Sequence, residues 1–373
     1  MKRIAFVQYT SPAAYPPIMN AARICRDSGL RVSLWGVQSQ GAAGSLQMDA
    51  CQGMDLSLMP YCAPGVWQKF HYLRFFIVCV LRCLWFRPSV VYCSDLWSYP
   101  IGWVLSQVLG FRVVAHEHDS PASDGSFAIR VCLSCREMLF RRSLVVFPQR
   151  ERSEIAAKSL TIPSKVVVWN CPRMDEVVDA IPVESRESIT LWYHGSIVPS
   201  QFPSTIIQAM AILPGAYRLR FAGYETIGSR GYIASLMDLA RTLGIADRVE
   251  YVGAIPTRSG LFTHASQCDV GLALFDRQFR EPMVGASNKP FDYLACGLAV
   301  LANGSSEWVE FFEEIPAVFH ADPADPDAIA AALKCLVGEA STMLSVRHEG
   351  IQKIRDDWNY ETQFQPVLEA IRC

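Results

Sequence analysis

The sequence predicts an α/β protein built from two doubly wound parallel sheets. Short apolar runs alternate with segments of helical periodicity, and this alternation occurs in both halves of the chain. Runs that are apolar throughout are typical of strands covered on both faces by helices. At 373 residues, 51% of them hydrophobic, the chain is long enough for two such cores.

The amino-terminal half shows the alternation clearly. The strand RIAFVQY is followed by the helical pattern IMNAARICRDSG, which ends at Gly29, and then by the strand RVSLWGV. Further along, the strands SVVYCSD and FRVVAHEHD flank the helical segment IGWVLSQVLG. A longer helix, FAIRVCLSCREMLFRRS, leads into the strand LVVFPQ. We interpret this half as one parallel sheet with helices on both sides.

The same pattern restarts after the acidic connector MDEVVDAIPVESRES. The strands ITLWYHG, YRLRFAG, RVEYVG, CDVGLALF, AVLAN and AVFH follow, with helical segments between several of them. We therefore predict an amino-terminal domain over 1–173, a linker over 174–189 and a carboxy-terminal domain over 190–355. A final helix over 356–373 is expected to pack back towards the amino-terminal domain.

Charge is distributed unequally between the two halves. Residues 1–173 contain 19 Lys and Arg against 10 Asp and Glu, a net charge of +9. Residues 174–373 contain 15 against 26, a net charge of −11, so the whole chain carries −2. A basic half is typical of a domain that meets an anionic partner. We expect that partner not to be a nucleic acid.

Thirteen cysteines are scattered without regular spacing. Cys132 and Cys135 have the spacing of a zinc-binding pair, but no second pair completes the site. We expect reduced core cysteines of a cytoplasmic protein. The start MKRIAFVQYT resembles a strand rather than a signal peptide, which agrees with that location.

The segment KFHYLRFFIVCVLRCLWFR, residues 69–87, is apolar almost all round. Only His71, Arg74 and Arg82 form a thin polar strip, and the run is too short and too charged for a convincing membrane span. Two interpretations remain open: a crossover helix buried on the sheet, or an interfacial helix whose cations meet lipid phosphates. The excess positive charge favours peripheral contact with the inner face of the cytoplasmic membrane. We assign Arg74 and Arg82, with Tyr15, to the acceptor or membrane side.

The stretch ASNKPFDYLACG, residues 286–297, places a cation and a carboxylate where a helix begins after a strand. Ser287 is a candidate cap, and Pro290 suits a first helical turn. Lys289 and free backbone N–H groups favour an anion, whereas Asp292 suits sugar hydroxyls. The pattern predicts a site for a nucleotide diphosphate, the alternative being a capped helix with a surface lysine.

The longer stretch SNKPFDYLACGLAVLANGSSEW resembles the donor-site motif of glycosyltransferase family 4, whose members have the GT-B fold. The strand ends VVYCSDLWSYPIG, FRVVAHEHD, WYHGSI, FAGYE and VEYVGAIP are similar to strand ends of that family, so the resemblance covers most of the chain. It implies two Rossmann-like domains with an interdomain cleft, the first binding the acceptor and the second the nucleotide-sugar donor.

The resemblance also assigns roles to residues. Asp292 takes the place of the acid that binds the nucleotide ribose, and Ser287, Asn288 and Lys289 take the diphosphate positions. His118 and Asp119 take the place of the pair beside the transferred sugar, with Asp95 next to them as a third catalytic candidate. The remaining donor-binding candidates lie at strand ends: Gly195, Ser196, Gly223 and Glu225.

Some family features are replaced. An Arg often follows the first carboxy-domain glycine, with a Lys soon after, but here Ser196 follows Gly195 and the later position falls near Gln201. A Glu often precedes the ribose-binding acid by eight residues, where this chain has Val284; Glu281 is the candidate substitute. Diphosphate binding is therefore expected to depend mainly on Lys289 and backbone N–H groups.

The sequence HEHD, residues 116–119, allows three interpretations: a catalytic or substrate-binding pair, a structural strand end, or a metal site. The resemblance implies catalysis without a bound metal, with the nucleotide-sugar as co-substrate and no further cofactor. Helix N-termini and basic groups would stabilise the leaving diphosphate.

The function predicted from these observations is transfer of a sugar to a hydroxyl of a lipid-linked or saccharide acceptor, in surface polysaccharide or glycoconjugate synthesis. Two alternatives are a nucleotide-sugar epimerase of the same fold and a non-catalytic, transferase-like subunit. An epimerase would need no acceptor, and the replaced basic residues motivate the non-catalytic alternative.

Overall fold

The computed structural model describes residues 1–48, 51–119, 126–178, 188–276, 283–337 and 340–373. The chain divides into two compact units. Unit 1 comprises Met1–Asn170 and Tyr360–Cys373, and unit 2 comprises Cys171–Asn359. Met174–Glu176, which fall in the predicted linker, form a single 3₁₀ turn that belongs to unit 2.

Unit 1 contains a seven-stranded parallel sheet. Its strands are β1 Arg3–Val7, β2 Arg31–Val37, β3 Asp55–Met59, β4 Val90–Cys93, β5 Arg112–His116, β6 Leu144–Phe147 and β7 Ser164–Val167. Their order in the sheet is β3–β2–β1–β4–β5–β6–β7. The strand order reverses between β1 and β4, the kind of point where ligands bind beyond the carboxyl ends of strands. Sequence periodicity did not indicate β3 or β7, whose side chains are largely exposed or half-buried.

Helices cover both faces of this sheet because β1 is apolar on both sides. The helices are α1 Pro16–Asp27, α2 Val66–Phe86, α3 Tyr99–Gln107, α4 Phe127–Phe140, α5 Arg150–Ser159 and α13 Tyr360–Arg372. Ile4 and Phe6 pack with α1 and α13, whereas Ala5 and Val7 pack with α2 to α5. The carboxy-terminal helix thus completes the core of unit 1.

Unit 2 contains a six-stranded parallel sheet. Its strands are β8 Ile189–Ser196, β9 Tyr217–Tyr224, β10 Val249–Gly253, β11 Val270–Ala273, β12 Ala299–Asn303 and β13 Val318–Ala321. Their order in the sheet is β10–β9–β8–β11–β12–β13. The helices are α6 Thr205–Ile212, α7 Tyr232–Thr242, α8 Arg258–Ala265, α9 Lys289–Ala295, α10 Ser306–Phe311, α11 Pro326–Val337 and α12 Ala340–Asp356. The six predicted strands correspond to these six.

Helix α2 is the crossover between β3 and β4, and it is only partly covered. It buries Phe75, Cys79, Cys83 and Phe86 and leaves much of its other side exposed. Among the described residues, no helix is both long enough and apolar enough to cross a membrane. One side of α2 is therefore a buried crossover, and the contact of its uncovered side with a membrane stays a prediction.

The predicted polar strip on α2 is not one surface, which corrects the sequence analysis. Arg74 is exposed, but Arg82 is half-buried with its guanidinium 5.9 Å from the centre of the Trp35 ring. His71 is also half-buried, and its Nδ1 lies 2.9 Å from the Tyr9 hydroxyl. Arg74 and Arg82 are eight residues apart, so they lie about 80° apart around the helix, and only Arg74 points outward.

The thirteen cysteines are all free. Nine are buried, as expected for core residues, but Cys335 and Cys373 are exposed. Burial raises the pKa of the Cys25 thiol to about 12, so this group is protonated and unreactive at neutral pH.

Candidate active site

Helix α9 positions the motif residues of unit 2. Gly271 on β11 leaves room for the ring of Tyr293, since a Cβ there would lie 2.2 Å from it. The Tyr293 hydroxyl donates to the Leu272 carbonyl and accepts from the His194 N–H, both at 3.3 Å. These contacts hold the first turn of α9, and with it Lys289 and Asp292, beside the ends of β8 and β11.

The start of α9 differs from the expectation in two ways. Asn288 rather than Ser287 is the cap residue, and it makes no side-chain capping bond; the Ser287 hydroxyl accepts from the Lys289 N–H at 3.4 Å. The helix has only seven residues, all buried, so its dipole offers little to an anion. Positive charge at this point comes from the Lys289 side chain.

Lys289 is a buried cation between aromatic rings. Its residue is 9% exposed, and its ammonium lies 5.3 Å and 5.2 Å from the ring centres of Tyr193 and Phe275. Nζ donates to Gln201 Oε1 at 3.1 Å. Burial lowers the pKa of Lys289 to about 8, although Asp292 acts in the opposite direction. Gln201, at the position where the resemblance leads us to expect a cation, is thus a neutral partner of Lys289.

Glycines at strand ends make this arrangement possible. A Cβ on Gly195 would lie 3.1 Å from Lys289 Cε, so a larger residue would crowd the lysine. Gly223, at φ 141°, lies so close to β8 that a Cβ would be 1.8 Å from the Gly195 carbonyl oxygen. Both predicted positions therefore shape the surroundings of Lys289 through their lack of a side chain.

Asp292 is fully buried and is bound by protein groups on both oxygens. Arg258 Nη2 lies 2.6 Å from Oδ1 and Arg258 Nη1 lies 3.1 Å from Oδ2. His194 Nε2 lies 3.3 Å from Oδ2, and Trp192 donates to the other ring nitrogen of His194 at 3.0 Å. Burial opposes ionisation, but the charge of Arg258 and the His194 hydrogen bond outweigh it and hold the pKa of Asp292 below its usual value.

This placement differs from the expected open carboxylate. In the structure Asp292 has 0% exposure, and a ribose would have to share or displace its protein donors. A carboxylate has about four acceptor positions, and three are taken by these contacts. Binding of the ribose by Asp292 stays a prediction, and the structure adds a second role, as the anchor of Arg258.

Arg258 is the residue that the sequence analysis missed. It is the first residue of α8, after the strand end VGAIPT, and its Nε donates to Glu176 at 2.7 Å. Its guanidinium also lies 4.8 Å from the centre of the Phe262 ring. Burial lowers the pKa of Arg258, but the charges of Asp292 and Glu176 raise it by more. The pKa of Arg258 is therefore above its usual value, and the residue is always charged. The sequence offered one signal for it, because Arg258 follows soon after Gly253 at the end of β10 and begins the next helix.

The contacts described for the other donor-site candidates involve neither the Lys289 ammonium nor the Asp292 carboxylate. Glu225 caps α7, accepting from the Gly231 N–H at 2.9 Å and from the Ile233 N–H at 2.6 Å. Ser196 is half-buried, and its carbonyl accepts from the Tyr193 hydroxyl at 2.6 Å. Asn288 is half-buried as well. Glu281 lies outside the described residues.

In unit 1, three polar side chains meet at the strand ends. The Ser94 hydroxyl donates to Gln8 Oε1 at 3.0 Å and lies 2.7 Å from His118 Nε2. Because Ser94 has a single hydroxyl proton, which goes to Gln8, His118 Nε2 must carry the proton and donate it to Ser94. His118 Nδ1 is then an acceptor, and it has no partner among the described residues. The ring is buried and 5.8 Å from the Tyr15 ring.

The electrostatics agree with a neutral His118. Burial lowers its pKa to about 3, and the positive charge of Arg152, whose Nη1 donates to the His118 carbonyl at 2.8 Å, acts in the same direction. A histidine with such a pKa is a weak base near neutral pH. The geometry therefore favours a hydrogen-bond acceptor for a substrate hydroxyl over a general acid or base.

The predicted partners of His118 have separate roles. Asp95 caps the short turn after β4, accepting from the N–H groups of Ser98 and Tyr9, both at 2.7 Å. Burial raises the pKa of Asp95 to about 6, although these hydrogen bonds pull it the other way. Asp119 is exposed. Asp95 thus holds the backbone together at the ends of β1 and β4, and a catalytic role for either acid stays a prediction.

The rest of HEHD is structural in character. His116 Nδ1 lies 2.7 Å from the Tyr92 hydroxyl. Glu117 forms an ion pair with Arg136, whose Nη2 donates a hydrogen bond to Glu117 Oε1 at 2.6 Å. Within the part of the chain that the structure describes, no three His, Cys, Asp or Glu side chains gather as metal ligands. Metal-independent catalysis stays a prediction.

Several solved structures share this architecture. The structure of Anabaena Alr3699/HepE in complex with UDP-glucose matches with a TM-score of 0.77 and 14% identity, covering 100% of this chain and 99% of that chain. Sucrose-phosphate synthase from Thermosynechococcus elongatus matches with a TM-score of 0.77 and 13% identity, covering 100% of this chain and 98% of that chain. WaaG, a glycosyltransferase involved in lipopolysaccharide biosynthesis, matches with a TM-score of 0.72 and 13% identity, covering 99% of each chain.

The fold is GT-B. This confirms the predicted fold class, an α/β protein with two doubly wound Rossmann-like domains. The structure adds the size of the two parallel sheets, seven and six strands. No protein-family model and no curated protein matches the sequence. At identities of this size the likeness establishes the GT-B fold alone, because activity depends on the residues of the site.

Proposed function

We propose that this GT-B protein is a glycosyltransferase related to family 4 that moves a sugar from a nucleotide-diphosphate donor to a hydroxyl. The acceptor is a lipid-linked or saccharide molecule in surface polysaccharide or glycoconjugate synthesis, and the enzyme works at the cytoplasmic membrane. Solved structures with this fold include complexes with UDP and with UDP-glucose, which supports a UDP-sugar as the first donor to test.

The observation that carries the proposal is the environment of Lys289. Its ammonium is buried beside Gly195 at the end of β8, and in the described residues its hydrogen-bond partner is the neutral amide of Gln201 rather than a carboxylate. A buried cation without a directly bonded anion is costly, and an incoming diphosphate would remove that cost. The lowered pKa of Lys289 is the electrostatic sign of this arrangement.

In this proposal each functional residue has a separate role. Lys289 would bind the diphosphate and stabilise the charge that develops on it as the glycosidic bond breaks. Arg258 and Asp292 would hold the wall of the nucleotide site. His118, as a neutral acceptor, would orient a hydroxyl of the sugar or of the acceptor.

A thermal-shift panel of UDP, GDP, ADP and TDP tests the proposal. A specific nucleotide at 100 times its Kd should stabilise the protein by about 2.7 kcal/mol, because it binds only the folded state. Incubation with the matching nucleotide-sugar, with and without acceptor, identifies the reaction. Turnover of the sugar without acceptor indicates an epimerase, and stabilisation by none of the nucleotides indicates a non-catalytic subunit.

We expect His118→Ala to lower kcat/KM for transfer by about 2- to 13-fold and to leave nucleotide affinity unchanged. The reason is the loss of one neutral hydrogen bond, which contributes about 0.5–1.5 kcal/mol. His118→Asn, which keeps an acceptor oxygen, should lose less. A loss of 10²–10⁴ in kcat for His118→Ala would instead show general acid–base catalysis, since that is its typical contribution.

A further inference from the structure

The outer side of α2 is an uncovered apolar surface on unit 1. Eight of its side chains are between 47% and 81% exposed: Val66, Trp67, Phe70, Leu73, Ile77, Leu81, Leu84 and Trp85. We call these eight residues the α2 outer face. Contiguous apolar surfaces of this kind are rare on monomeric proteins and typically mark an interaction site.

The spacing of the α2 outer face is regular. Six of the eight residues follow one another at intervals of three or four and therefore form one aliphatic and aromatic stripe along the helix. Trp67 and Trp85 are separated by five helical turns, about 27 Å, so they lie on the same flank of the stripe. Arg74 lies between them on that flank and is exposed.

Charge around this face identifies the class of partner. Between Asp55 and Asp95 the chain contains Lys69, Arg74, Arg82 and Arg87 but no Asp or Glu. A second copy packed on the same face would bring these cations together without acidic partners, which is unfavourable. Phosphate-bearing lipid headgroups provide the missing negative charge, and tryptophans are enriched at the boundary between headgroups and acyl chains.

Helix α4 extends the same layer. It packs on the same face of the sheet as α2 and exposes Phe127 and Val131, 76% and 41% respectively, next to Arg130. Two helices of one layer therefore present apolar side chains and cations to the same side of the sheet.

We propose that the α2 outer face docks unit 1 on an anionic phospholipid bilayer. The helix lies parallel to the membrane, with the apolar stripe at the acyl boundary and Lys69 and Arg74 among the phosphates. This deepens the proposed function by naming the surface that would bring the enzyme to a lipid-linked acceptor. Nucleotide binding in unit 2 does not depend on it, so the two proposals can fail separately.

The test is sedimentation of the full chain with two kinds of vesicle, one of phosphatidylcholine and one of equal parts phosphatidylcholine and phosphatidylglycerol. We expect strong binding only to the anionic vesicles. Lys69→Glu with Arg74→Glu should weaken that binding by about 25-fold or more, since each cation near such a surface contributes about fivefold. The matched control is Arg218→Glu with Lys334→Glu, the same charge change at exposed positions of unit 2, which should bind like the wild type.

A second variant tests the apolar contribution. Phe70→Ser, Ile77→Ser and Leu81→Ser together should reduce binding by at least about 100-fold, because burial of such side chains drives insertion. All three are exposed, so the thermal stability and the nucleotide-induced shift should stay as in the wild type. Should the triple variant fail to fold, the charge variant and its control still decide the question.

Three results would overturn the proposal. The first is equal binding to both kinds of vesicle, and the second is binding to neither. The third is a dimer in light scattering that the triple Ser variant converts to a monomer, which would make the α2 outer face an interface between two copies. Unchanged nucleotide binding in these variants would leave the proposed transferase function standing in each case.

Discussion

Lys289→Met is expected to weaken binding of the cognate nucleotide diphosphate by about 10- to 150-fold. The variant removes the buried ammonium that would meet the diphosphate, and hydrogen bonds to charged groups contribute about 1.5–3 kcal/mol each. Titration calorimetry with the nucleotide found in the thermal-shift panel measures the change. Lys334→Met, at an exposed position of the same unit, is the control and should bind like the wild type.

The same lysine predicts the direction of the pH dependence. Because burial lowers its pKa to about 8 in the free protein, Lys289 loses its charge as the pH rises through that value. A bound diphosphate favours the charged form of Lys289, so nucleotide affinity should fall by up to tenfold per pH unit above about pH 8. Lys289→Met should show no such fall. A wild-type affinity that is flat up to pH 9.5 would contradict the proposed contact.

The second large effect concerns stability. Asp292→Ala should lower the free energy of unfolding by about 3–5 kcal/mol, because it leaves Arg258 buried with Glu176 as its one remaining carboxylate partner among the described contacts. Urea denaturation measures the change. The control is Asp238→Ala, which breaks the exposed pair with Arg241 and should cost no more than about 1 kcal/mol.

A triple variant separates the buried charges from simple loss of packing. Arg258→Met, Glu176→Gln and Asp292→Ala together remove the cation and both of its carboxylate partners, so this variant should be less destabilised than Asp292→Ala alone. If Asp292→Ala and Asp238→Ala lower the free energy of unfolding equally, the buried pair of Asp292 with Arg258 contributes no more than an exposed pair. Asp292 would then be available to a ligand, as predicted from the sequence.

How much of the donor site could be predicted from sequence is shown by Lys289 and Asp292. Their place at the start of a helix after a strand followed from local patterns, and the structure has them there. The contacts of each could not be predicted in the same way. Gln201 and Arg258 are 88 and 34 residues away from Lys289 and Asp292, and no local periodicity encodes such a pairing.

His118 illustrates the same limit in unit 1. The sequence placed it at a strand end, but its protonation depends on Ser94 and Gln8, which directly follow the ends of two other strands, β4 and β1. Only the parallel order β1–β4–β5 brings the three together. Without that order, general base and neutral acceptor are equally consistent with the motif.

The sequence by itself determined the α/β class, the two parallel sheets and the apolar character of α2, because strand and helix periodicities are local properties of the chain. The tertiary structure alone decided which side of α2 is uncovered, so that Arg74 is exposed while Arg82 packs on Trp35. It also decided that the carboxylate of Asp292 faces Arg258 rather than solvent. In both cases the physical reason is that burial and charge pairing depend on residues distant in sequence, which only the packed core brings within contact.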